Sequence, residues 1–350
     1  MYDVAVIGCG IVGAAAAYEL SRYNCRVLVL EAKNDVANVT TKANSAILHA
    51  GYDPAPGSLM AKTNVRGVKL AKELCEKLDV ERDEIGSLVL AFNEEDERHL
   101  EMLYRQGLEN GVPGVELLTA DEVHALEPNV SEKVTAALYA PSAAIVSPWE
   151  FALALAETAV VNGCEVQLSA PVTGIDRIDG GYRLHTPKGD FEARYIINAA
   201  GLHCDKVHEM VGGTGFTVHG VRGEYYIMDK SQGNVVSHVI FQCPNEKGKG
   251  VLVAPTVHGN LIVGPSADAV DDVESVANTA FGLEEVHTAA AKQRAVRRVD
   301  YRVHALMRDI ALNYLYNSHY AILTSTLPFS ADSMICDELS PRRAMMPSAI

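Results

Sequence analysis

Four residues near the N-terminus have the types and spacing of a nucleotide-binding turn. Gly8, Gly10 and Gly13 form a Gly-x-Gly-x-x-Gly motif between an apolar run and an alanine-rich segment. Gly8 permits a tight turn, Gly10 has no Cβ to block a pyrophosphate, and Gly13 lets a helix pack closely on the strand. Glu31 ends a second apolar run, where a carboxylate accepts hydrogen bonds from ribose hydroxyls. The pattern predicts a strand–helix–strand unit that binds a dinucleotide at the helix N-terminus.

The spacing fits FAD and NAD sites equally, and a glycine-rich turn in an ordinary α/β domain is the alternative to both. The rest of the sequence distinguishes between an FAD site and an NAD site. An NAD domain continues its sheet with successive strand–helix units, whereas here a long polar loop at 33–64 follows the second apolar run. The predicted sheet resumes only near residue 165 and ends in a buried strand at 194–201. Such a split topology is typical of flavoproteins.

Composition and charge limit the class of protein. A chain of 350 residues is long enough for two interleaved domains, and its 48% hydrophobic content is ordinary for a globular protein. The net charge of −15 argues against a nucleic-acid groove, which needs a basic patch. No run of eighteen apolar residues occurs, so we expect no transmembrane segment, and peripheral membrane contact stays open.

The cysteines indicate the redox compartment. There are seven, none in a Cys-x-x-Cys pair, and the odd count favours reduced thiols over a disulfide framework. The apolar run of the first predicted strand begins near residue 3, so we expect no signal peptide. We therefore expect a cytoplasmic protein, with peripheral contact at the inner face of the membrane left open, and no metal site.

Hydrophobic periodicity and capping residues predict the other elements. We expect helices at 59–78, 93–110, 119–126 and 148–162. We expect strands at 87–92, 136–139 and 165–168, and a hairpin of 172–178 with 181–186. Further strand-like segments at 218–228, 235–242, 250–255 and 260–263 predict an antiparallel sheet on the substrate side.

Several motifs occur in order along the chain. After the opening turn come 41–52, Asn-Ala-Ala-Gly-Leu-His-Cys-Asp at 198–205, Val-Arg-Gly-Glu-Tyr-Tyr at 221–226, and the segment 254–265. With these motifs the chain resembles the D-amino-acid oxidase-type FAD oxidoreductases over residues 1–290. Within them it is most similar to the branch of anaerobic-type glycerol-3-phosphate dehydrogenases and L-2-hydroxyglutarate oxidases.

The resemblance implies an α/β fold in which a three-layer, Rossmann-like FAD-binding domain is interleaved with an antiparallel-sheet substrate domain of α+β type. The expected division assigns 1–82 and 147–215 to FAD binding, 83–146 and 216–290 to the substrate domain, and 291–350 to a tail.

The resemblance also implies FAD as cofactor and names its binding residues. Gly8, Gly10, Gly13 and Glu31 would hold the ADP half. The pyrophosphate and flavin side would be lined by Thr40, Thr41, Asn44 and Ser45, for which a solvated turn is the alternative. Val172 would meet the adenine through its backbone, and Ala200 and Gly201 would pack against the nucleotide.

Two histidines are candidates for the base that removes a substrate hydroxyl proton. His49 is the first, because its loop is expected to run beside the flavin; a histidine that only packs under the loop is the alternative. His258 is the second, and its alternative role is a hydrogen bond within its own turn.

Three further residues are candidates for binding substrate. Arg222 suits a carboxylate or phosphate, because guanidinium binds such groups bidentately; a salt bridge to Glu224 is the alternative. Tyr52 and Tyr225 could orient the substrate, or simply pack with a hydrated hydroxyl.

The C-terminal segment differs in composition from the rest. All 27 glycines lie at or before Gly282, and residues 291–350 carry eight Lys and Arg against five Asp and Glu. Members of the resembled family end in a glycine-rich strand, loop and helix that close on the flavin. The tail is therefore expected to depart from the family fold, although a helix at 299–320 fits its pattern.

The leading hypothesis is FAD-dependent oxidation of a small anionic secondary alcohol, with glycerol 3-phosphate favoured and L-2-hydroxyglutarate second. The electron acceptor stays open between a quinone, a partner subunit and oxygen. An amine oxidase of the same superfamily is one alternative. The other is a truncated or altered relative that holds flavin weakly and is inactive.

Overall fold

The computed structural model describes residues 1–243, 251–293 and 312–313. The strands are β1 (Tyr2–Ile7), β2 (Val27–Leu30), β3 (Ile47–Leu48), β4 (Arg82–Asp83), β5 (Ser87–Ala91), β6 (Glu116–Thr119), β7 (Ala136–Ala140), β8 (Ala144–Val146), β9 (Glu165–Gln167), β10 (Gly174–Ile178), β11 (Gly181–Thr186), β12 (Gly189–Asn198), β13 (Gly220–Gly223), β14 (Tyr226–Met228), β15 (Val239–Gln242), β16 (Leu252–Pro255), β17 (Leu261–Gly264), β18 (Asp268–Val270) and β19 (Leu312–Asn313). The helices are α1 (Ile11–Leu20), α2 (Leu59–Leu78), α3 (Glu94–Asn110), α4 (Ala120–Leu126), α5 (Pro148–Val161), α6 (Cys204–Met210) and α7 (Ala280–Gln293).

These elements form two compact units. In the described part of the chain, the first unit contains Met1–Lys42 and Pro148–His219, and the second contains Ala43–Ser147 and the described residues of Gly220–Tyr314. The sequence-based division counted residues 43–82 with the nucleotide part, whereas the contacts place them in the second unit. The reason is that β3 and β4 both pair antiparallel with β8 there. As an assignment of functional domains, the division stays a prediction.

The sheet of the first unit is assembled from distant parts of the chain. Its strand order is β10-β11-β12-β1-β2-β9, and β1 lies parallel between β12 and β2. Strand β9 pairs parallel with β2, which confirms that the sheet resumes at residue 165. Ile7 is level with both Leu30 and Asn198, so the carboxyl ends of three strands meet beside the glycine-rich turn.

Local sequence explains the central layers of this unit. All four residues of β2 are buried, as expected for a parallel strand covered on both faces. Helix α1 is built almost entirely from small and apolar residues, and it packs against α5. Small side chains let the two helices approach each other closely, so α1 is held with its N-terminus at the end of β1.

The second unit is built on a seven-stranded sheet in the order β14-β17-β16-β15-β5-β7-β6. The sequence predicted an antiparallel sheet, and this is wrong at one place, because β15 pairs parallel with β5. The two strands belong to different segments of the chain, so no hairpin turn dictates their relative direction. One face carries a cluster that includes Leu88, Ile240 and Val263, against which α7 packs.

The opposite face of this sheet is covered in two parts. Helix α3 packs on β5 and β7, over a cluster that includes Val89 and Leu138. Towards β14 the cluster contains Tyr225, Val239 and Ile262, with Ile47 and Phe241 packed at its margin. Of the substrate-side candidates, Tyr225 lies in this cluster and His49 stacks on Phe241 at its margin.

The predicted helices at 59–78, 93–110, 119–126 and 148–162 and the hairpin at 172–186 are confirmed to within two residues at each end. Other predictions need correction. The segment 218–228 is two strands separated by Glu224 and Tyr225. The strand predicted to reach 201 ends at Asn198, and it is not buried, because Arg194 and Tyr195 are exposed and the next three residues are half-buried. Helix α7 was not predicted. The helix expected at 299–320 lies outside the described residues except at Leu312–Asn313, which form a strand beside β13.

No helix in the described part of the chain is long and apolar enough to cross a membrane.

The hairpin of the first unit contains a histidine held between two carboxylates. Nε2 of His185 lies 2.9 Å from Oδ2 of Asp176, and its Nδ1 lies 2.8 Å from Oδ1 of Asp190. The hydrogen bond to Asp176, and to a lesser extent the one to Asp190, raises the pKa of His185 above its usual value. Because the folded-state pKa is the higher one, the imidazolium stabilises the fold below the unfolded pKa, and this contribution is lost as pH rises through the folded pKa.

We therefore predict that His185→Gln lowers the free energy of unfolding more at about pH 6 than at about pH 9. Asp190→Asn should lower the midpoint of the His185 titration measured by NMR. A wild-type midpoint at or below that of an unstructured histidine would contradict the prediction.

Candidate functional site

The glycine-rich turn brings three backbone segments into close contact. Gly8 has φ 98°, and a Cβ on it would lie 2.5 Å from the carbonyl oxygen of Ala199. A Cβ on Gly13 would lie only 1.9 Å from the carbonyl oxygen of Gly8. Neither position can carry a side chain without moving the backbone. The start of α1 therefore sits directly on the end of β1, next to the segment that follows β12.

The N-terminus of α1 offers backbone donors. Gly10 is its N-cap, and the N–H of Ile11 donates to Oγ1 of Thr41 at 2.9 Å. The next N–H groups, of Val12 and Gly13, belong to the first turn, whose donors have no intrahelical acceptor. A Cβ on Gly10 would meet Oγ1 of Thr41 at 3.0 Å, so only glycine leaves this surface open to a phosphate.

Glu31 closes the site at the end of β2. It is 8% exposed, and its Oε2 accepts from the N–H of Cys9 at 2.7 Å. Its Oε1 accepts from the N–H of Lys33 at 2.8 Å. A carboxylate has about four acceptor positions, so two are left for the hydroxyls of a ribose, while the backbone bonds fix the direction in which they point.

Four other predicted cofactor-binding residues, Thr40, Val172, Ala200 and Gly201, belong to the same unit. The segment before Val172 is tied to the backbone of Glu31, because the N–H of Ala170 donates to the Glu31 carbonyl at 2.8 Å. Ala200 lies against the turn, with its Cα 3.2 Å from where a Cβ on Gly8 would be. Gly201 has φ 54° and open space in front of its Cα, and Thr40 begins the short 3₁₀ turn that carries Thr41.

These residues fit the ADP half of FAD. The crowding at Gly8 and Gly13, the open N-terminus of α1 and the oriented carboxylate of Glu31 are the features that a pyrophosphate and a ribose require. Gly8, Gly10, Gly13, Glu31 and Thr41 would hold this half of the cofactor. Direct contacts of the individual residues with FAD stay predictions.

In the second unit, Ser45 and Tyr225 form a buried hydroxyl pair. Oγ of Ser45 lies 2.7 Å from the phenolic oxygen of Tyr225. Gly264 makes room for the tyrosine, because a Cβ on it would lie 2.6 Å from Cδ1 of the ring. The structure thus brings together two residues that the sequence analysis assigned to different tasks, Ser45 to the cofactor and Tyr225 to the substrate.

The side chain of Asn44 makes a hydrogen bond within its own turn. Its Oδ1 accepts from the N–H of Ala46 at 2.8 Å, and Ala46 has the left-handed φ of 60°. A contact of Asn44 with FAD stays a prediction.

His49 lies at the sheet face described above. Its half-buried ring stacks on that of Phe241 in β15, with 5.6 Å between the ring centroids and 27° between the planes. The sequence analysis missed Phe241, because an aromatic residue in a strand carries no local sign of its partner. The stacking fixes the plane of the imidazole and leaves its nitrogens at the ring edge.

Arg222 forms the salt bridge that the sequence analysis gave as its alternative role. Its Nε lies 3.1 Å from Oε1 of Glu224, and the carboxylate is fully buried. Glu224 also accepts from the N–H and the hydroxyl of Thr279, each at 2.8 Å. The charge of Arg222 is therefore partly compensated within the protein. Glu224 and Thr279 were missed as a network because they are 55 positions apart.

The structure separates His258 from this group. It lies half-exposed in the turn between β16 and β17, with its Nδ1 4.0 Å from Oε2 of Glu81. Leu252 pairs with Gly264 at the other end of the same hairpin, which is where Tyr225 packs. The turn's own hydrogen bonds are made by Thr256 and not by the His258 side chain.

Tyr52 packs in the hydrophobic cluster under α3. Only 7% of the residue is exposed, and burial raises the pKa of its hydroxyl well above the usual range. This position favours the packing role over a direct contact with substrate.

The six described cysteines are all buried, and none of them is in a disulfide. Burial, with the charge of Glu31, raises the pKa of Cys9 to about 12, and burial raises that of Cys243 to about 12. Within the same part of the chain, no group of three His, Cys, Asp or Glu side chains is placed to bind a metal ion.

Comparison with known proteins decides the family. The family model described as "FAD dependent oxidoreductase" (DAO) matches residues 3–318. The chain belongs to this family. The match extends beyond residue 290, where the resemblance read from the sequence ended, and the cofactor of the family is FAD.

Three relatives of this FAD-dependent oxidoreductase are informative. A glycerol 3-phosphate dehydrogenase of Caloramator mitchellensis is 47% identical over 292 residues, which cover 83% of this chain and 61% of the relative. An L-2-hydroxyglutarate dehydrogenase of Escherichia coli K12 is 30% identical over 76% of this chain and 64% of its own length. The structure of L-α-glycerophosphate oxidase from Mycoplasma pneumoniae with FAD bound has a TM-score of 0.80 at 30% identity, covering 87% of this chain and 81% of that one.

We predict that Gly13→Ala strongly weakens FAD binding, because the new methyl group would displace α1 from the end of β1. The free energy of unfolding should fall by at least about 2 kcal/mol. Both effects are measurable, as flavin absorbance per chain and by denaturant unfolding.

Gly67→Ala is the matched control. Gly67 lies within α2, and nothing stands within 4 Å of the added Cβ. This variant should keep its FAD and be slightly more stable. Equal FAD loss in both variants would contradict the assignment of the turn.

Proposed function

We propose that this FAD-dependent oxidoreductase oxidises the secondary alcohol of glycerol 3-phosphate. The observation that carries the proposal is the 47% identity with the Caloramator glycerol 3-phosphate dehydrogenase. The similarity to the Mycoplasma glycerophosphate oxidase supports the same substrate. The chain spans only 61% of the length of the Caloramator relative, so activity, substrate and partners are proposals for this chain.

FAD, when bound, supplies the hydride acceptor for such a reaction. The first unit's contribution is to hold the nucleotide half at the start of α1, with Glu31 on the ribose. The second unit's contribution is to bind and orient the alcohol and to take its proton.

We assign the role of base to His49. An imidazole is suited to accept a hydroxyl proton near neutral pH. The ring is half-buried and stacked on Phe241, which holds it in one plane. His258 is the less suitable histidine because its side chain is 50% exposed in a turn at the far end of the hairpin that Tyr225 packs against.

The hydroxyl pair of Ser45 and Tyr225 is assigned to orienting the substrate. Each of the two hydroxyls can both donate and accept a hydrogen bond, and their oxygens lie 2.7 Å apart. The pair can therefore accept a hydrogen bond from the substrate alcohol, and donate one to its oxygen once the alcohol has lost its proton. Arg222 is assigned to the anionic group of the substrate. Its Nε is buried 3.1 Å from Oε1 of Glu224 without a hydrogen bond to it, so we assign the contact with substrate to the terminal Nη groups.

The electron acceptor and location are also proposed. A cytoplasmic protein with oxygen or a partner subunit as acceptor is one arrangement. A quinone acceptor would require peripheral contact at the inner face of the membrane. Steady-state turnover with each acceptor separates these arrangements.

L-2-hydroxyglutarate is the second candidate substrate, favoured by the similarity to the E. coli L-2-hydroxyglutarate dehydrogenase. Turnover of both compounds with an artificial electron acceptor distinguishes the two candidates. We expect the higher kcat/KM with glycerol 3-phosphate. Activity on neither compound, with rapid flavin bleaching by glycine, sarcosine or proline, would favour an amine oxidase instead.

Flavin content tests whether the chain is an active enzyme at all. We expect the purified protein to be yellow, with FAD in stoichiometric amount. A colourless protein that gains no activity on addition of FAD would support the truncated or altered relative.

We predict that His49→Gln lowers kcat about a hundredfold or more, with little change in KM, because the variant keeps the fold but loses the base. His258→Gln should retain nearly full activity. The measurement is steady-state kinetics on FAD-loaded protein, and a larger loss in His258→Gln than in His49→Gln would reverse the assignment.

A further inference from the structure

The loop that carries His49 is held by amide side chains from two helices. Nδ2 of Asn64, in α2, donates to the main-chain carbonyl of His49. Nδ2 of Asn110, the last residue of α3, donates to the carbonyls of Gly51 at 3.0 Å and Pro54 at 2.8 Å. Three carbonyls within six residues thus receive side-chain donors.

The loop also lies directly on α2. Gly51 is buried with φ 107°, and a Cβ on it would lie 2.7 Å from Cγ2 of Val65 and 3.6 Å from Cγ of Asn64. Only glycine permits so close an approach. The donor of Asn64 and the close packing of Gly51 are two independent contacts that fix the same stretch of backbone.

An amide is suited to this task for an electrostatic reason. Carbonyls buried in a loop need donors, because an unpaired polar group away from water costs free energy. Asn64 and Asn110 supply donors without adding a charge beside His49. A lysine or arginine in their place would also donate, but its positive charge would disfavour protonation of the imidazole.

Both the main chain and the side chain of His49 are therefore held in place. Asn64 holds its carbonyl from α2, and Phe241 holds its ring from β15. A loop that served only to connect β3 with α2 would not need both restraints. The combination is what a base requires, because proton transfer depends on the placement of its nitrogen to within a fraction of an ångström.

We propose that Asn64 and Asn110 are positioning residues that hold His49 in the orientation for proton transfer. The inference rests on the proposed role of His49 as base. It extends the functional machinery to the two helices that flank the loop, neither of which carries a residue that the sequence analysis assigned to the site.

A double-mutant cycle tests the inference on FAD-loaded protein with glycerol 3-phosphate, or L-2-hydroxyglutarate if that is the compound turned over. We expect Asn64→Ala to lower kcat about tenfold with little change in KM. In the His49→Gln background the same substitution should lower kcat less than about twofold, because there is no base left to position. A merely structural role of Asn64 would cost the same factor in both backgrounds.

Asn129→Ala is the matched control. Asn129 donates to the carbonyl of Val235 at 2.9 Å, in the same unit and away from the His49 loop. The Asn129→Ala variant loses one amide-to-carbonyl hydrogen bond, as Asn64→Ala does. In each background, its kcat should stay within about twofold of the enzyme that keeps Asn129.

Asn110→Ala repeats the test from the other helix and covers the case in which Asn64→Ala fails to fold. Equal losses in both backgrounds, no loss from either asparagine variant, or loss of folded protein in both would overturn the inference. Full activity of His49→Gln would instead reject the proposed base, which is a separate outcome.

Discussion

The first unit depends on the contact between Gly13 and the carbonyl of Gly8, where a single added methyl group would lie 1.9 Å from oxygen. This contact allows α1 to begin directly at the end of β1. The carboxyl ends of β1, β2 and β12 then meet at one place, and Ala199, the residue after β12, packs against Gly8. The helix N-terminus, the Glu31 carboxylate and the segment after β12 are neighbours for this reason. A side chain at Gly13 would separate them all at once.

Much of this unit could be predicted, because its signals are local. The glycine spacing, the apolar runs and the terminal carboxylate determine the β1–α1–β2 segment within thirty-one residues. The second unit was less predictable, although its helix α4 could be predicted from Thr119 and Glu122, which form a capping box. The parallel pairing of β15 with β5 and the break at Glu224 depend on partners from other segments, which no periodicity records.

The candidate site shows the same limit. Residue type and family resemblance identified His49, Tyr225 and Ser45 as candidates, but they could not show which of these residues contact each other. Ser45 and Tyr225 are 180 positions apart, and their hydrogen bond exists only because β14 and β17 bring Gly264 under the ring. Arg222 was ambiguous between a ligand and an ion-pair partner because Glu224 is its near neighbour in sequence. The structure shows that the ion pair forms on the Nε side of Arg222, and a contact of its terminal nitrogens with substrate stays a proposal.

The pairing of β5 with β15 also has a consequence for synthesis of the chain. Strand β5 has β7 on one side early in translation, but its other neighbour is residues 239–242. Until those residues leave the ribosome, β5 presents an unpaired edge, which is a template for pairing with another chain. The sheet of the first unit must likewise wait for β12 to join β1. Both units therefore complete their sheets late, and the nascent protein passes through a long period in which association with other chains competes with folding.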